Sequence, residues 1–324
     1  MTLVLIVALL LLNALVILNF RRDLAAGRKR LAGASGLIDT AAGPIEAAEI
    51  GTGFPILFSH GAGGGFDQGL AIGAPIAAAG FRIIAVSRFG YLRSPLPRDC
   101  SPQAQADAYA ALMEALNIPR AAIIGGSAGA PSAMQFAIRH PDKCAALILI
   151  VPIAFHPDDQ PSVIPKMSPW EEKLLMVLVG SNLIYWLATK IAPRLIVKLA
   201  LGTPPRLLRS ASDEESARLL RFTTDVLPIS ERHSGILNDA RIAASIPPYD
   251  LEKIQAPTLV VSLRDDGYVT FPGAAYSASK IAGAKFIGYE SGGHLWVGHQ
   301  RELMQEIADF LKVPFAARDA PAQQ

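Results

Sequence analysis

The chain has 324 residues, enough to bury a sizeable core in one large domain or in one domain with an insertion. Hydrophobic residues make up 51% of it and charged residues only 18%, more apolar than an average soluble domain, which directs attention to a membrane segment. The formal net charge is +2, but Arg21, Arg22, Arg28, Lys29 and Arg30 stand against Asp23 alone in one short stretch, so the remainder is slightly acidic and leaves no basic face for nucleic acid.

From Thr2 to Phe20 no residue is charged. As a helix this run spans roughly 28 Å, close to the hydrocarbon thickness of a bilayer. No cation precedes it, as one would in a secretory signal, and the cations follow it. The positive-inside rule then predicts a single-pass N-terminal anchor, with the body of the protein in the cytoplasm. Two other readings of the segment are a cleaved signal, with "LAGAS" at Leu31 to Ser35 as the cut, and a helix that docks on the body.

After a small-residue stretch, "LAGASGLIDTAAGP", short apolar runs alternate with helical patterns. "PILFSH", "FRIIAVSR", "AAIIGGS", "AALILIVP", "PTLVVSLRDD" and "AKFIGYES" are each continuously apolar for several residues and bounded by Gly, Pro or charge, as strands buried on both faces are. Between them, "SPQAQADAYAALMEAL" opens with a Ser cap and Pro, "PSAMQFAIRH" stops at Pro141, and "RELMQEIADFLK" places Leu303, Ile307, Phe310 and Leu311 on one face. The alternation predicts a doubly wound, mostly parallel α/β sheet, with sites at the carboxyl ends of its strands.

Between Ile153 and Pro247 the alternation breaks into helix, Gly or Pro break, helix. Charged residues interrupt every window long enough for a second span, so this interval reads as a helical lid. The expected organisation is an anchor helix at 1–22, a linker at 23–44, a core in two parts at 45–152 and 248–313, a lid at 153–247 and a disordered tail at 314–324. Cys100 and Cys144 form neither a metal-ligand spacing nor a disulfide framework.

"GGSAG", Gly125 to Gly129, is the one G-x-S-x-G in the chain, and it lies between a predicted strand and a predicted helix, the setting in which a serine is raised on a strained turn. Small residues are expected around Ser127 because the chain packs against itself there. A serine hydroxyl needs a base. Of six histidines, His294 in "ESGGHLWVGH" directly follows the last predicted strand, on a loop able to reach Ser127. The base needs a carboxylate to hold its tautomer. "LRDDGYV" offers Asp266, with Asp265 as the alternative and Asp158 a distant third. "HGAGGG", His60 to Gly65, lacks the ending of a phosphate-binding loop, and reads instead as an oxyanion loop, with the N–H groups of Ala62 and Ala128 as donors and His60 shaping the loop.

Together with "GGSAG", "HGAGGG", "RDD" and "GGH", the stretch "SRFGYLRS" at Ser87 to Ser94 resembles the α/β-hydrolase superfamily, over about Gly51 to Pro152 and Pro257 to Lys312. Phe89 stands where that family has glycine, Leu92–Arg93 where one small residue is usual, and Leu263 where many relatives have glycine before the acid loop. The resemblance implies an α/β-hydrolase fold with a lid, Ser127, Asp266 and His294 as nucleophile, acid and base, Ala62 and Ala128 as oxyanion donors, and no metal or organic cofactor. Serine at the elbow argues against haloalkane dehalogenases and epoxide hydrolases. The expected function is cleavage of a carboxylic ester, a small-molecule or lipid-like substrate with an apolar acyl chain. Carbon–carbon bond hydrolysis or cofactor-free perhydrolysis on the same residues is the alternative, and a non-catalytic binding protein of the same fold the third.

Overall fold

A computed structural model describes residues 1–157 and 168–316. Its centre is an eight-stranded sheet of β1 (Gly36–Ile38), β2 (Ile45–Ile50), β3 (Phe54–Ser59), β4 (Phe81–Val86), β5 (Ala121–Gly126), β6 (Cys144–Ile150), β7 (Thr258–Leu263) and β8 (Lys285–Tyr289), in the order β1-β2-β4-β3-β5-β6-β7-β8. From β4 to β8 every neighbour is parallel, whereas β1 and β2 form an antiparallel edge. The six runs read from the sequence are β3 to β8. Every residue of β6 and β7 is buried, because helices cover both faces of a parallel sheet and leave no side for polar residues.

Helices α1 (Thr2–Leu31), α2 (Phe66–Ala78), α3 (Pro102–Ala115) and α4 (Ala130–Arg139) precede the lid. The lid comprises α5 (Pro169–Gly180), α6 (Asn182–Ile191), α7 (Pro193–Ala200), α8 (Pro205–Ser210), α9 (Asp213–Thr224) and α10 (His233–Ala243), and α11 (Thr270–Lys280) and α12 (Gln300–Ala316) complete the core. Alternate residues of one strand serve two cores: Ile56 and Phe58 of β3 face Phe66 and Ile76 of α2 and Leu303, Ile307 and Leu311 of α12, while Leu57 joins Tyr109, Met113, Met134 and Phe136 from α3 and α4. Ser101 caps α3 by accepting the Ala104 N–H at 3.2 Å, with Pro102 at the first helical position.

The stretch expected as a linker at 23–44 carries structure. Helix α1 continues to Leu31 and Gly36–Ile38 adds β1 to the sheet. The reason is docking of its C-terminal third. Phe20 meets Trp186 edge-on with centroids 5.8 Å apart, and Asp23 accepts from Trp186 Nε1 at 3.0 Å and pairs with Lys190 at 2.9 Å. Gly27 lies so close to α9–α10 chain that a Cβ would come within 2.8 Å of the Leu227 carbonyl oxygen. Arg30 bonds Asp67 and the carbonyls of Asp225 and Leu227. The apolar part of α1 makes no such contacts over most of its length. It is long and apolar enough to cross a membrane, and no residue of the helix is buried. Of the expected tail, residues 317–324 lie outside the described residues, as do residues 158–167 of the lid interval.

Candidate active site

Strand β5 ends at Gly126 and the chain turns through Ser127–Gly129 directly into α4. Ser127 has φ +48°, a left-handed conformation that a residue with a Cβ adopts only where the surroundings impose it. Two glycines make the turn feasible. A Cβ at Gly129 would sit 2.2 Å from the Ser59 carbonyl oxygen of β3, and one at Gly125 would sit 2.6 Å from the Ala133 Cβ of α4. Gly126 differs from the expectation of uniform crowding, since a Cβ there would meet nothing within 4 Å.

Loops at the carboxyl ends of β7 and β8 bring two further groups to the serine. His294 Nε2 is 3.0 Å from Ser127 Oγ, and His294 Nδ1 is 2.8 Å from Asp266 Oδ2. Asp266 is nearly fully buried, accepts the Tyr268 N–H at 2.8 Å on Oδ1, and receives the Thr270 hydroxyl on Oδ2. The Tyr268 ring stands edge-on to the imidazole, centroids 4.8 Å apart, so the imidazole is held by contact as well as by hydrogen bonds. The approach to His294 uses Gly292 at φ +144° and Gly293 at φ +62°.

Asp265, the alternative acid, faces elsewhere. Its Oδ1 accepts the N–H groups of Gly292 and Gly293 at 2.9 and 2.7 Å, and its Oδ2 takes the Ser291 hydroxyl and Arg206, each at 3.0 Å. It therefore shapes the loop that carries His294. Asp158 lies outside the described residues. Two other histidines are engaged away from Ser127: His140 with Asp107 and His299 with Ser291 and Glu302.

The His60–Gly65 loop lies against the serine turn, where a Cβ on Gly61 would be 3.3 Å from that of Ser127. Ala62 lines the same cavity as Ser127 and His294, and Ala128 follows the serine at the start of the turn into α4. His60 is fully buried, donates from Nδ1 to the Gly61 carbonyl at 2.7 Å and accepts the Arg88 N–H on Nε2 at 3.0 Å. Burial, and then the adjacent Arg88 cation, push its pKa well below the usual histidine value, so it is a neutral, fully bonded strut.

Two buried ion networks hold this loop and the lid together, and neither was visible in the sequence. Arg88 binds Asp239 of α10 through both terminal nitrogens, at 2.7 and 2.5 Å, and the Tyr91 hydroxyl donates to the same carboxylate while accepting the Gly63 N–H at 3.3 Å. Arg232, 1% exposed, donates to the Gly64 carbonyl and pairs with Asp67 at 2.8 Å, and Asp67 also takes Arg30 from α1. The partners lie about 150 residues or more apart in sequence, and no local pattern links them.

The cavity over Ser127 has a volume of about 120 Å³, with Val151, Ile153, Leu201, Phe222 and Leu295 among its walls. A larger cavity of about 230 Å³ shares Gln68, Ile72 and Phe222 with it but contains none of Ser127, His294 and Asp266; it is lined by Arg30, Asp67, Arg218 and Arg232. Among the described residues no group of three His, Cys, Asp or Glu side chains is placed to hold a metal ion. Chemically, the arrangement offers a hydroxyl whose proton an imidazole can take, a carboxylate to orient that imidazole, and backbone N–H groups near a helix N-terminus.

The comparisons with known proteins agree with this architecture. An uncharacterized hydrolase, YcgS, of Bacillus subtilis is 27% identical over 271 residues, which cover 80% of this chain and 91% of that protein. The 2-hydroxymuconate semialdehyde hydrolase of Pseudomonas sp. strain CF600 is 32% identical over 104 residues, 31% of this chain and 37% of that enzyme. Among solved structures, an alpha/beta hydrolase fold protein from Nakamurella multipartita superposes with a TM-score of 0.67 at 29% identity, covering 86% of this chain and 99% of that one. The family model for the alpha/beta hydrolase fold matches residues 55–297, from β3 through the loop that carries His294, and the chain is a member of that hydrolase family.

Proposed function

We propose that this hydrolase is a membrane-tethered serine esterase acting on a carboxylic ester with an apolar acyl chain. The observation that carries the reading is the unbroken series from Ser127 Oγ through the His294 ring to Asp266 Oδ2. His294 takes the serine proton as Oγ attacks the ester carbonyl, and Asp266 orients the ring and supports the imidazolium. The oxyanion forms where the N–H groups of Ala62 and Ala128 can donate to it, close to the N-terminus of α4. His294 then protonates the departing alcohol. Water, deprotonated by the same ring, releases the acid from the acyl-enzyme. The apolar walls of the cavity favour an acyl chain over a polar one, and the exposed apolar run of α1 supports the tether.

A second reading has a specific observation behind it. The partial similarity to 2-hydroxymuconate semialdehyde hydrolase favours carbon–carbon bond hydrolysis at the same serine. Side-by-side assays of p-nitrophenyl esters of graded chain length and of a vinylogous diketone separate the two. Ester turnover that exceeds diketone turnover and disappears in Ser127→Ala, together with labelling by a fluorophosphonate, supports the esterase. Preferential cleavage of the diketone overturns it in favour of the second reading.

A further inference from the structure

The outer surface of α6 and α7 is inverted relative to a soluble helix pair. Ile196 and Val197 point inward, while Ile191, Leu195 and Leu199 are 78%, 50% and 62% exposed, and Leu183 and Ile184 of α6 are also exposed. Within α6, helical spacing puts the exposed Ile184 and Ile191 on one face, and within α7 it puts Arg194, Leu195, Lys198 and Leu199 on one face. The α7 face holds apolar groups and cations only, and from Ser181 to Ala211 the sequence has five cations and no carboxylate, Lys190 and Arg206 being paired with Asp23 and Asp265 from outside that stretch. Such a face suits an anionic partner with an apolar interior, and next to a helix long and apolar enough to span a bilayer that partner is lipid acyl chains bounded by anionic headgroups.

The place of α6 is set by α1, and α7 packs directly on α6. Val16 and Phe20 belong to the apolar run of α1 and also pack on the lid cluster of Val179, Tyr185, Trp186, Leu227 and Ile229. One turn further on, Asp23 is bound to Trp186 and Lys190. From Asp23 back to Val16 is seven residues, about 10 Å of helix. If the apolar run is in the bilayer, the part of the lid beside Val16 must lie at least as deep as the headgroup layer, which is about 5–8 Å thick on each side. Long Lys and Arg side chains at that level can reach the headgroups while their stems lie along the chains.

We propose that the α6–α7 face is a lipid-contact surface that seats in the anionic leaflet beside α1. This rests on the reading of α1 as a membrane tether. The last turn of α7 then links the leaflet to the active site, because Ala200 and Leu201 line the cavity over Ser127 and the Leu199 carbonyl accepts the Tyr268 hydroxyl at 3.0 Å. A substrate held in the leaflet reaches the cavity past this turn without crossing bulk water.

The test uses the full-length protein in vesicles of phosphatidylcholine and phosphatidylglycerol, in a Cys100→Ser background. An environment-sensitive fluorophore is placed at Leu195→Cys, at Leu10→Cys in α1, or at Ser279→Cys at the end of α11. Nitroxide-bearing acyl chains should quench positions 10 and 195 and spare 279. Quenching at 10 without quenching at 195 overturns the proposal and leaves the tether standing. Quenching at neither removes the tether and the proposal with it. A probe at 195 that is shielded from water yet unquenched by lipid assigns the face to a second copy of the chain and also overturns the proposal. In kinetics, Ile191→Glu combined with Leu195→Glu should lower the rate on a long-chain ester dispersed in the vesicles roughly tenfold and leave a soluble short-chain ester unaffected. Equal loss on both substrates overturns the proposal.

Discussion

Ser127 and His294 are 167 residues apart in sequence, and their reacting atoms are 3.0 Å apart. The distance is that of a formed hydrogen bond. If His294 is the base proposed above, His294→Ala is expected to lower kcat for a p-nitrophenyl ester by on the order of 10³-fold or more, with KM little changed, because a base acts on the proton in flight rather than on the bound acyl group. Steady-state kinetics on the purified variant check this, and a loss confined to KM would remove His294 from the role of base.

The adjacent aspartates should separate cleanly. Asp266→Asn keeps the shape but removes the charge that holds the imidazole, and kcat is expected to fall by roughly 10³- to 10⁴-fold. Asp265→Asn weakens the acceptor of the Gly292 and Gly293 N–H groups and the pairing with Arg206, which loosens the loop without touching the ring. A fall of roughly tenfold or less is expected from that displacement. Reversal of the two magnitudes would exchange their assignments.

The sequence carried most of this. Six strands were legible because each is a short apolar run bounded by Gly, Pro or charge; β5, β6 and β7 are buried almost throughout, whereas β8, at the sheet edge, has no buried residue and was legible by its apolar residues alone. Strand β2 was not, because "IEAAEI" places Glu46 in the core, where Ser35, Ser87 and Arg93 satisfy it, and no periodicity announces a carboxylate with buried partners. Strand β1 has only three residues. Helix α2, with Gly69, Gly73 and Pro75 inside it, contradicts helix propensity; Gly69 and Gly73 are needed because Ala85 and Ile83 of β4 leave no room for a Cβ. At the candidate site, the meeting of Ser127 and His294 was legible because each sits in small residues at a strand end. Arg88–Asp239 and Asp67–Arg232 were not, because a long-range ion pair leaves no mark on its neighbours.

Asp239→Ala is expected to cost about 3–5 kcal/mol of stability, since it strands the buried Arg88 guanidinium without its counter-charge. Both side chains are at most 6% exposed, so solvent does not screen the pair. The midpoint of urea denaturation reads this directly. Because Tyr91 loses its acceptor and is itself the acceptor for Gly63 N–H, ester turnover at temperatures where the variant stays folded should fall as well.

The glycines around Ser127 make an internal contrast. Gly129→Ala forces a Cβ to within 2.2 Å of the Ser59 carbonyl oxygen, a rigid backbone atom in a central strand, and a loss of about 1–3 kcal/mol or more is expected. Gly126→Ala meets open space, at an ordinary φ of −95°, and should stay within about 0.5 kcal/mol of the parent. Thermal melts of the two variants side by side decide it, and equal destabilisation would mean that the turn is held differently.

Asp67 links α1 to the loop beside Ser127, and its ionisation gives that link a pH dependence. Burial on its own raises a carboxyl pKa, but Arg232 and then Arg30 outweigh it and hold Asp67 at about 2, below the ordinary 3.8. A depressed carboxyl pKa stabilises the fold above the unfolded value and loses that contribution as pH falls through the folded value. The stabilisation is about 2 kcal/mol at neutral pH, unchanged down to about pH 5, and it disappears between about pH 4 and pH 2. Asp67→Asn should therefore be less stable than the parent at pH 7, and the gap in unfolding free energy should narrow by about 2 kcal/mol as the pH is lowered through that window. Denaturation of parent and variant across pH 7 to 2 reads the gap, and a difference that stays constant would mean that the Arg30–Asp67–Arg232 contacts stabilise the fold by packing rather than by charge.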